Sequence, residues 1–210
     1  MNLSRRSLIL TGLSILVTRP AMAAQPKLAG AVPPTKTPWV VGTIPDKPFD
    51  IDLINMELVP EEFRRQVVPF TGPEPAGSIV VDAKERHLYF VLMNGTAIRF
   101  GIAVGKQGAV WHGKAVVGRK AKWPLWTPTA HMRKKNPKLP VQQNGGPKNP
   151  LGARALYLYR DGIDTLYRIH GTNDPSSIGK SVSSGCIRMF NENVFELFAE
   201  VPVGTPVTVR

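Results

Sequence analysis

The chain has 210 residues with 27 Lys+Arg against 15 Asp+Glu, a formal charge of +12, and its length suits one domain with extensions. One cysteine excludes an intramolecular disulfide and a Cys-rich zinc site, and a hydrophobic share of 42% is enough for a packed core, which excludes wholesale disorder. The 20 prolines and 19 glycines speak against a helical bundle and for a turn-rich, mainly β protein, and no apolar run reaches the roughly 18–20 residues of a membrane span.

Residues 1–23 read as an export signal. Arg5 and Arg6 form a basic start, Ser7 to Val17 is a short, mostly apolar run, and Ala21-Met22-Ala23 fits a small-x-small cleavage site. Ser4-Arg5-Arg6-Ser7-Leu8-Ile9 is similar to a twin-arginine signal, and an ordinary Sec signal with two arginines fits as well. The expectation is an exported protein of the periplasm or cell envelope, with no transmembrane segment in the mature chain. Cleavage removes Arg5, Arg6 and Arg19 and no acid, so +12 becomes +9. Much of that charge sits between Arg86 and Arg160, where 14 Lys/Arg stand without one Asp or Glu. Such a block faces an anionic partner or is a plain solvated surface. Export makes nucleic acid a poor partner; carboxylated peptides and anionic lipids are what an envelope offers.

Residues 24–74 read as a Pro-rich extension or linker. Pro26, Pro33, Pro34, Pro38, Pro45 and Pro48 leave little room for helix or central strand, and Glu61 to Arg65 suits one helical turn after Pro60. Thr71-Gly72-Pro73-Glu74-Pro75 is a second break, and a compact domain over 75–210 follows. Strands are expected at Ser78 to Asp82, Arg86 to Met93 and Thr96 to Val104, with an Asn94-Gly95 hairpin turn between the last two. Lys114 to Val117 is a weaker strand. Six prolines make 121–150 a long loop, of a length that is often functional. Its Trp123 and Trp126 either wall a substrate or pack onto the core. Two strands, Ala155 to Tyr159 and Thr165 to His170, flank an Asp161-Gly162 turn. A helix fits Glu192 to Glu200, with Asn191 as N-cap and Val194, Leu197, Phe198 and Val201 on one face. Pro206 to Val209 is a last strand. Many strands and one short helix predict a β-sandwich-like fold.

The chemistry concentrates in residues 170–188. A thiol is a poor nucleophile until deprotonated, and a nearby imidazole can take its proton and leave a thiolate–imidazolium pair. His170 ends an expected strand, and the loop to Cys186 has Gly171, Gly179 and Gly185 as pivots. Gly185 lets the backbone approach a substrate carbonyl, and the amides around Cys186 can donate to an oxyanion. Arg188 could hold a carboxylate in its planar fork. On residue chemistry alone the two groups are either nucleophile and base, or a buried small hydrophobe and a surface imidazole. The four histidines show no HExxH or paired-ligand spacing, and there is no Walker loop, GxGxxG or GxSxG, so neither metal nor other cofactor is expected.

His170-Gly171-Thr172, Gly179 and Ser183-Ser184-Gly185-Cys186-Ile187-Arg188-Met189 together resemble the signature of the L,D-transpeptidase catalytic domain (YkuD-type) family. Asn191 to Leu197, Gly204-Thr205-Pro206-Val207, Pro75 to Asp82 and Asn149 to Leu156 are similar to further parts of it, so the resemblance covers about residues 75–210. It implies Cys186 as nucleophile, His170 as general base and the Gly171 carbonyl as the group that orients the imidazole. It implies an oxyanion hole at the Gly185 and Cys186 amides, with Thr172, Ser183, Ser184 and Arg188 around the substrate. Many members have His where this chain has Ser184, so any accessory role of that histidine is absent. The implied partners are peptidoglycan stem peptides, with a neighbouring stem amine, an outer-membrane lipoprotein lysine, a D-amino acid or water as acceptor. The implied reaction is a 3→3 cross-link through a Cys186 acyl-enzyme. The competing readings are a carboxypeptidase of the same fold, a non-catalytic wall-binding module and a basic lipid-binding protein. The last needs a basic amphipathic helix, and the one expected helix is acidic.

Overall fold

Short apolar runs bounded by turn residues fold as strands in the computed structural model, which describes residues 38–106, 111–183 and 185–210. The expected signal over 1–23 and the linker up to residue 37 lie outside the described residues. In chain order the elements begin with β1 (Val40–Ile44), β2 (Ile51–Ile54), 3-10 turns at Met56–Leu58 and Glu61–Phe63, and β3 (Gln66–Pro69). Then come β4 (Ile79–Asp82), β5 (His87–Val91), β6 (Thr96–Gly101), β7 (Val104–Gly105) and β8 (Gly113–Lys122). A short helix, α1 (Ala130–Lys135), precedes β9 (Arg154–Arg160) and β10 (Ile163–His170). After a 3-10 turn at Pro175–Ser177 follow β11 (Ser181–Ser183), β12 (Ile187–Arg188), α2 (Asn191–Glu200) and β13 (Pro206–Val209).

Nine strands form one sheet in the order β12-β10-β9-β8-β13-β4-β5-β6-β3, while β1-β2 and β11-β7 form two small sheets. Asn94 and Gly95 both take positive φ, as the tight turn from β5 to β6 requires, and Asp161-Gly162 does the same from β9 to β10. Strands from opposite ends of the large sheet share one apolar cluster: Val81, Leu88 and Phe100 lie with Leu156, Ile169 and Ile187. The sheet therefore folds over onto itself, giving the mainly β, sandwich-like fold that the strand pattern predicts. Val194, Leu197 and Val201 plug α2 into the same cluster, and full burial of each such side chain is worth about 1.5–3 kcal/mol. Beyond β6, Ala103 exchanges both backbone hydrogen bonds with Arg188 of β12, at 2.9 and 2.8 Å. That seam joins the tail of β6 to the far end of the sheet.

Three expectations change. Residues 40–69, read as a Pro-rich stretch with at most a helical turn, carry three strands, because two runs of four or five residues fit between the prolines and the third ends on Pro69. Of these β3 pairs with β6 in the large sheet. The long loop over 121–150 contains α1, capped by the Thr129 side chain on the Met132 amide at 3.2 Å. Asn191 is the first residue of α2 and not its cap; Phe190 stands at the cap position, and the Asn191 amide is used elsewhere.

Candidate active site

The strand pairing brings the chemistry together. β10 and β12 run parallel, with Ile169 opposite Ile187 and His170 opposite Arg188. Ile169 and Ile187 are buried in the core. Side chains alternate along a strand, so Arg168, His170, Cys186 and Arg188 belong to the opposite face. Cys186 comes just before the Ile187 pair and so stands beside Arg168; its Sγ lies 3.9 Å from the Leu166 carbonyl oxygen. His170 is one diagonal step away, a separation of about 7–8 Å that long and aromatic side chains span. Gly185 sits at φ 132°, where a side chain is strained, so the backbone entering Cys186 demands glycine.

His170 is 4% exposed, and its Nδ1 donates to the Gly171 carbonyl at 2.6 Å. A carbonyl only accepts, so the neutral ring carries its proton on Nδ1 and offers Nε2 as a base. Burial pushes the imidazole down from 6.5 to about 4; the Gly171 carbonyl opposes this, the Arg188 and Arg168 charges add to it, and the Leu151 carbonyl opposes. Burial pushes the Cys186 thiol up, against the pull of Arg168 and Arg188. Both shifts favour the uncharged forms.

The carbonyl that orients His170 is itself held. Asn191 Oδ1 accepts from the Ala153 and Thr172 amides at 3.0 and 3.1 Å, and its Nδ2 donates to the Thr172 carbonyl at 2.9 Å. A Cβ on Gly171 would collide with Asn191 Oδ1, so this glycine admits the amide. The Thr172 hydroxyl is engaged in its own turn, accepting from the Asp174 amide at 3.0 Å. Ser183 ends β11, and Ser184 lies outside the described residues.

Cys186 and Gly185 open onto a cavity of ≈ 730 Å³. The loop after β8 supplies one wall, including Leu125, Trp126 and Met132, and the turn of β10 supplies Leu166. The two tryptophans divide between their readings: Trp126 lines the cavity, whereas Trp123 is buried edge-on to Phe49 at 5.2 Å and donates to Asp46 at 2.9 Å. Asp46 also pairs at 2.8 Å with Arg154, which is 1% exposed. Burial alone would raise the Asp46 carboxyl; hydrogen bonds from Arg154 and Trp123, with the Arg154 charge, outweigh it and hold the group below its usual value. Sequence reasoning missed Asn191, Asp46 and the cavity side chains Arg119, Tyr157 and Arg168. Their roles depend on pairing across strands, which leaves no local mark.

The model of the L,D-transpeptidase catalytic domain (YkuD) matches residues 76–209. Probable L,D-transpeptidase YbiS of Escherichia coli K12 is 41% identical over 149 residues, covering 67% of this chain and 46% of that protein. The chain thus spans about half the length of the curated relatives it matches. Among solved structures, the Ldtfm–avibactam carbamoyl enzyme shares the fold at a TM-score of 0.50 and 22% identity, covering 65% of this chain and 49% of that one. A Brucella melitensis protein described as a probable carnitine operon oxidoreductase is 48% identical over 72% of this chain and 96% of its own, at a TM-score of 0.49. By its matched domain the chain belongs to the L,D-transpeptidase catalytic domain family.

Proposed function

We propose that this protein is a cysteine-dependent L,D-transpeptidase of peptidoglycan stem peptides, exported to the cell envelope by residues 1–23. One observation carries the reading: the thiol and a buried, Nδ1-protonated imidazole share the outer face of two paired strands, with the thiol at a large open cavity. His170 Nε2 takes the Cys186 proton as sulfur attacks the carbonyl after the L-centre of the third stem residue. The Gly185 and Cys186 amides receive the oxyanion. The imidazolium returns the proton to the departing amine of the terminal D-alanine, leaving a thioester on Cys186. An amine of a neighbouring stem attacks the thioester, His170 takes its proton, and the thiol is restored with a 3→3 cross-link formed. Domain roles follow: 75–210 carries the reaction, residues 40–69 pack against it through β3 and the Asp46–Arg154 pair, and the residues before them link it to the export signal.

Covalent labelling by a carbapenem followed by mass spectrometry tests the nucleophile. The wild-type chain gains one adduct and Cys186→Ala gains none; a labelled variant would remove Cys186 from the role. Muropeptide analysis with and without the protein tests the acceptor. New 3→3 dimers support the transpeptidase reading. New tripeptides alone make water the acceptor, a lipoprotein-linked stem makes it a lysine, and no change at all makes the domain a non-catalytic wall binder.

A further inference from the structure

A row of side chains beside the thiol has no role in the reaction above. Arg119 is opposite Tyr157 across β8 and β9, and Tyr157 is opposite Arg168 across β9 and β10. Cys186 stands next to Arg168, one residue before the Ile169–Ile187 pair. Three adjacent strands thus present Arg119, Tyr157 and Arg168 in a line that Cys186, just before β12, continues, and all four residues border the cavity. The Arg119 guanidinium lies 3.5 Å from the centre of the Tyr157 ring, and that of Arg168 lies 4.8 Å from it. A register shift precedes each arginine, between Val117 and Arg119 on β8 and between Asp164 and Arg168 on β10. Bulges of this kind re-aim side chains beside a site.

The two arginines differ in their partners. Arg168 pairs with Asp164 at 3.3 Å. Arg119 has no acid within ion-pair distance among the described residues. With the Arg119 guanidinium carbon 3.5 Å from the ring centre, its N–H donors are held over Tyr157 in a fork that matches a carboxylate. Tyr157 fixes that fork ahead of binding, which lowers the entropy cost of using it. Neighbouring strands lie ~4.8 Å apart, so Tyr157 stands about 10 Å from Cys186. An extended peptide advances about 3.4 Å per residue, so one residue plus a side group covers that distance.

We propose that Arg119, seated on Tyr157 and flanked by Arg168, binds a carboxylate of the acyl donor, carried by the residue before the one that is acylated. The identity of the donor rests on the transpeptidase reading; the anion site itself does not. An amide at that place keeps the shape of the group and loses its charge, so the row discriminates acid from amidated stems.

The test reads binding without turnover, by calorimetric titration of full-length Cys186→Ala protein. The probes are a synthetic stem tetrapeptide with a free glutamyl α-carboxylate at its second residue, the same peptide amidated there, and a third amidated only at its C-terminus. Adding Arg119→Gln is expected to weaken binding of the free acid about tenfold, to weaken the C-terminal amide equally, and to leave the second-residue amide unchanged. Arg119→Lys, which keeps charge without the fork, falls between. Equal weakening of all three peptides, no weakening, an effect that follows the C-terminal carboxylate, or binding of no peptide each overturns the proposal. Arg119-dependent binding in a protein that forms no 3→3 dimers would instead refute the transpeptidase reading and leave the anion site standing.

Discussion

The buried His170 makes stability depend on pH in a window that can be calculated. Its imidazole is neutral in the folded chain down to about 4, whereas an unfolded histidine takes a proton near 6.5. Between those values the unfolded state holds more protons, so stability falls as pH falls through the window and is level above about 7. The gap from 6.5 to about 4, at about 1.36 kcal/mol per pH unit, is worth about 3 kcal/mol. With a urea dependence of about 1–3 kcal/mol per molar, the unfolding midpoint should drop by about 1–3 M between pH 7 and pH 4. His170→Gln removes the titrating group while keeping an amide donor, and serves as the reference. It is expected to be less stable at pH 7 and to lose about 3 kcal/mol less than wild type on acidification. Other carboxylates act equally in both proteins and cancel. Parallel pH profiles for the two proteins would refute the claim that burial holds His170 neutral.

Two further changes test the supports of the site. Asp46→Ala leaves the buried Arg154 without its partner and should cost about 3–5 kcal/mol in chemical denaturation at neutral pH. Because the Asp46 carboxyl lies below its usual value, wild type should approach the variant's stability as pH falls through that lowered value; a constant gap would separate the loss from the ion pair. Asn191→Ala strands two buried amides and one carbonyl, a loss of about 3–5 kcal/mol, and should slow acylation of Cys186 by displacing the carbonyl that orients His170. Unchanged acylation in a folded Asn191→Ala protein would show that this carbonyl is placed by other contacts.

The strands of the catalytic half were legible because their signals are local. Ile79–Asp82 and His87–Val91 are apolar runs, Asn94-Gly95 names its own turn, and Val194, Leu197 and Val201 repeat at helical spacing. The placement of Cys186 and His170 near one another followed from a motif and from glycines, and the parallel pairing of β10 with β12 supplies the geometry. What stayed hidden depends on partners far away in the chain. Prolines at 45 and 48 argued against strands, yet the segment around them is held by Arg154 and Trp123, more than 70 residues on. Asn191 looked like a cap by sequence position, but its amide answers to Ala153 and Thr172. The Arg119–Tyr157–Arg168 row exists only once three strands have found their register.

The seam between Ala103 and Arg188 has a consequence for the order of events during folding. β12 is two residues long and cannot hold itself; it is kept in place by His170 on one side and by a segment some 85 positions earlier in the chain on the other. Contacts of such long sequence separation form slowly, because loop closure must precede any gain from them. The Ala103 seam is therefore expected to close after the local pairing of β12 with β10, so the strand that follows Cys186 gains its second support late in folding.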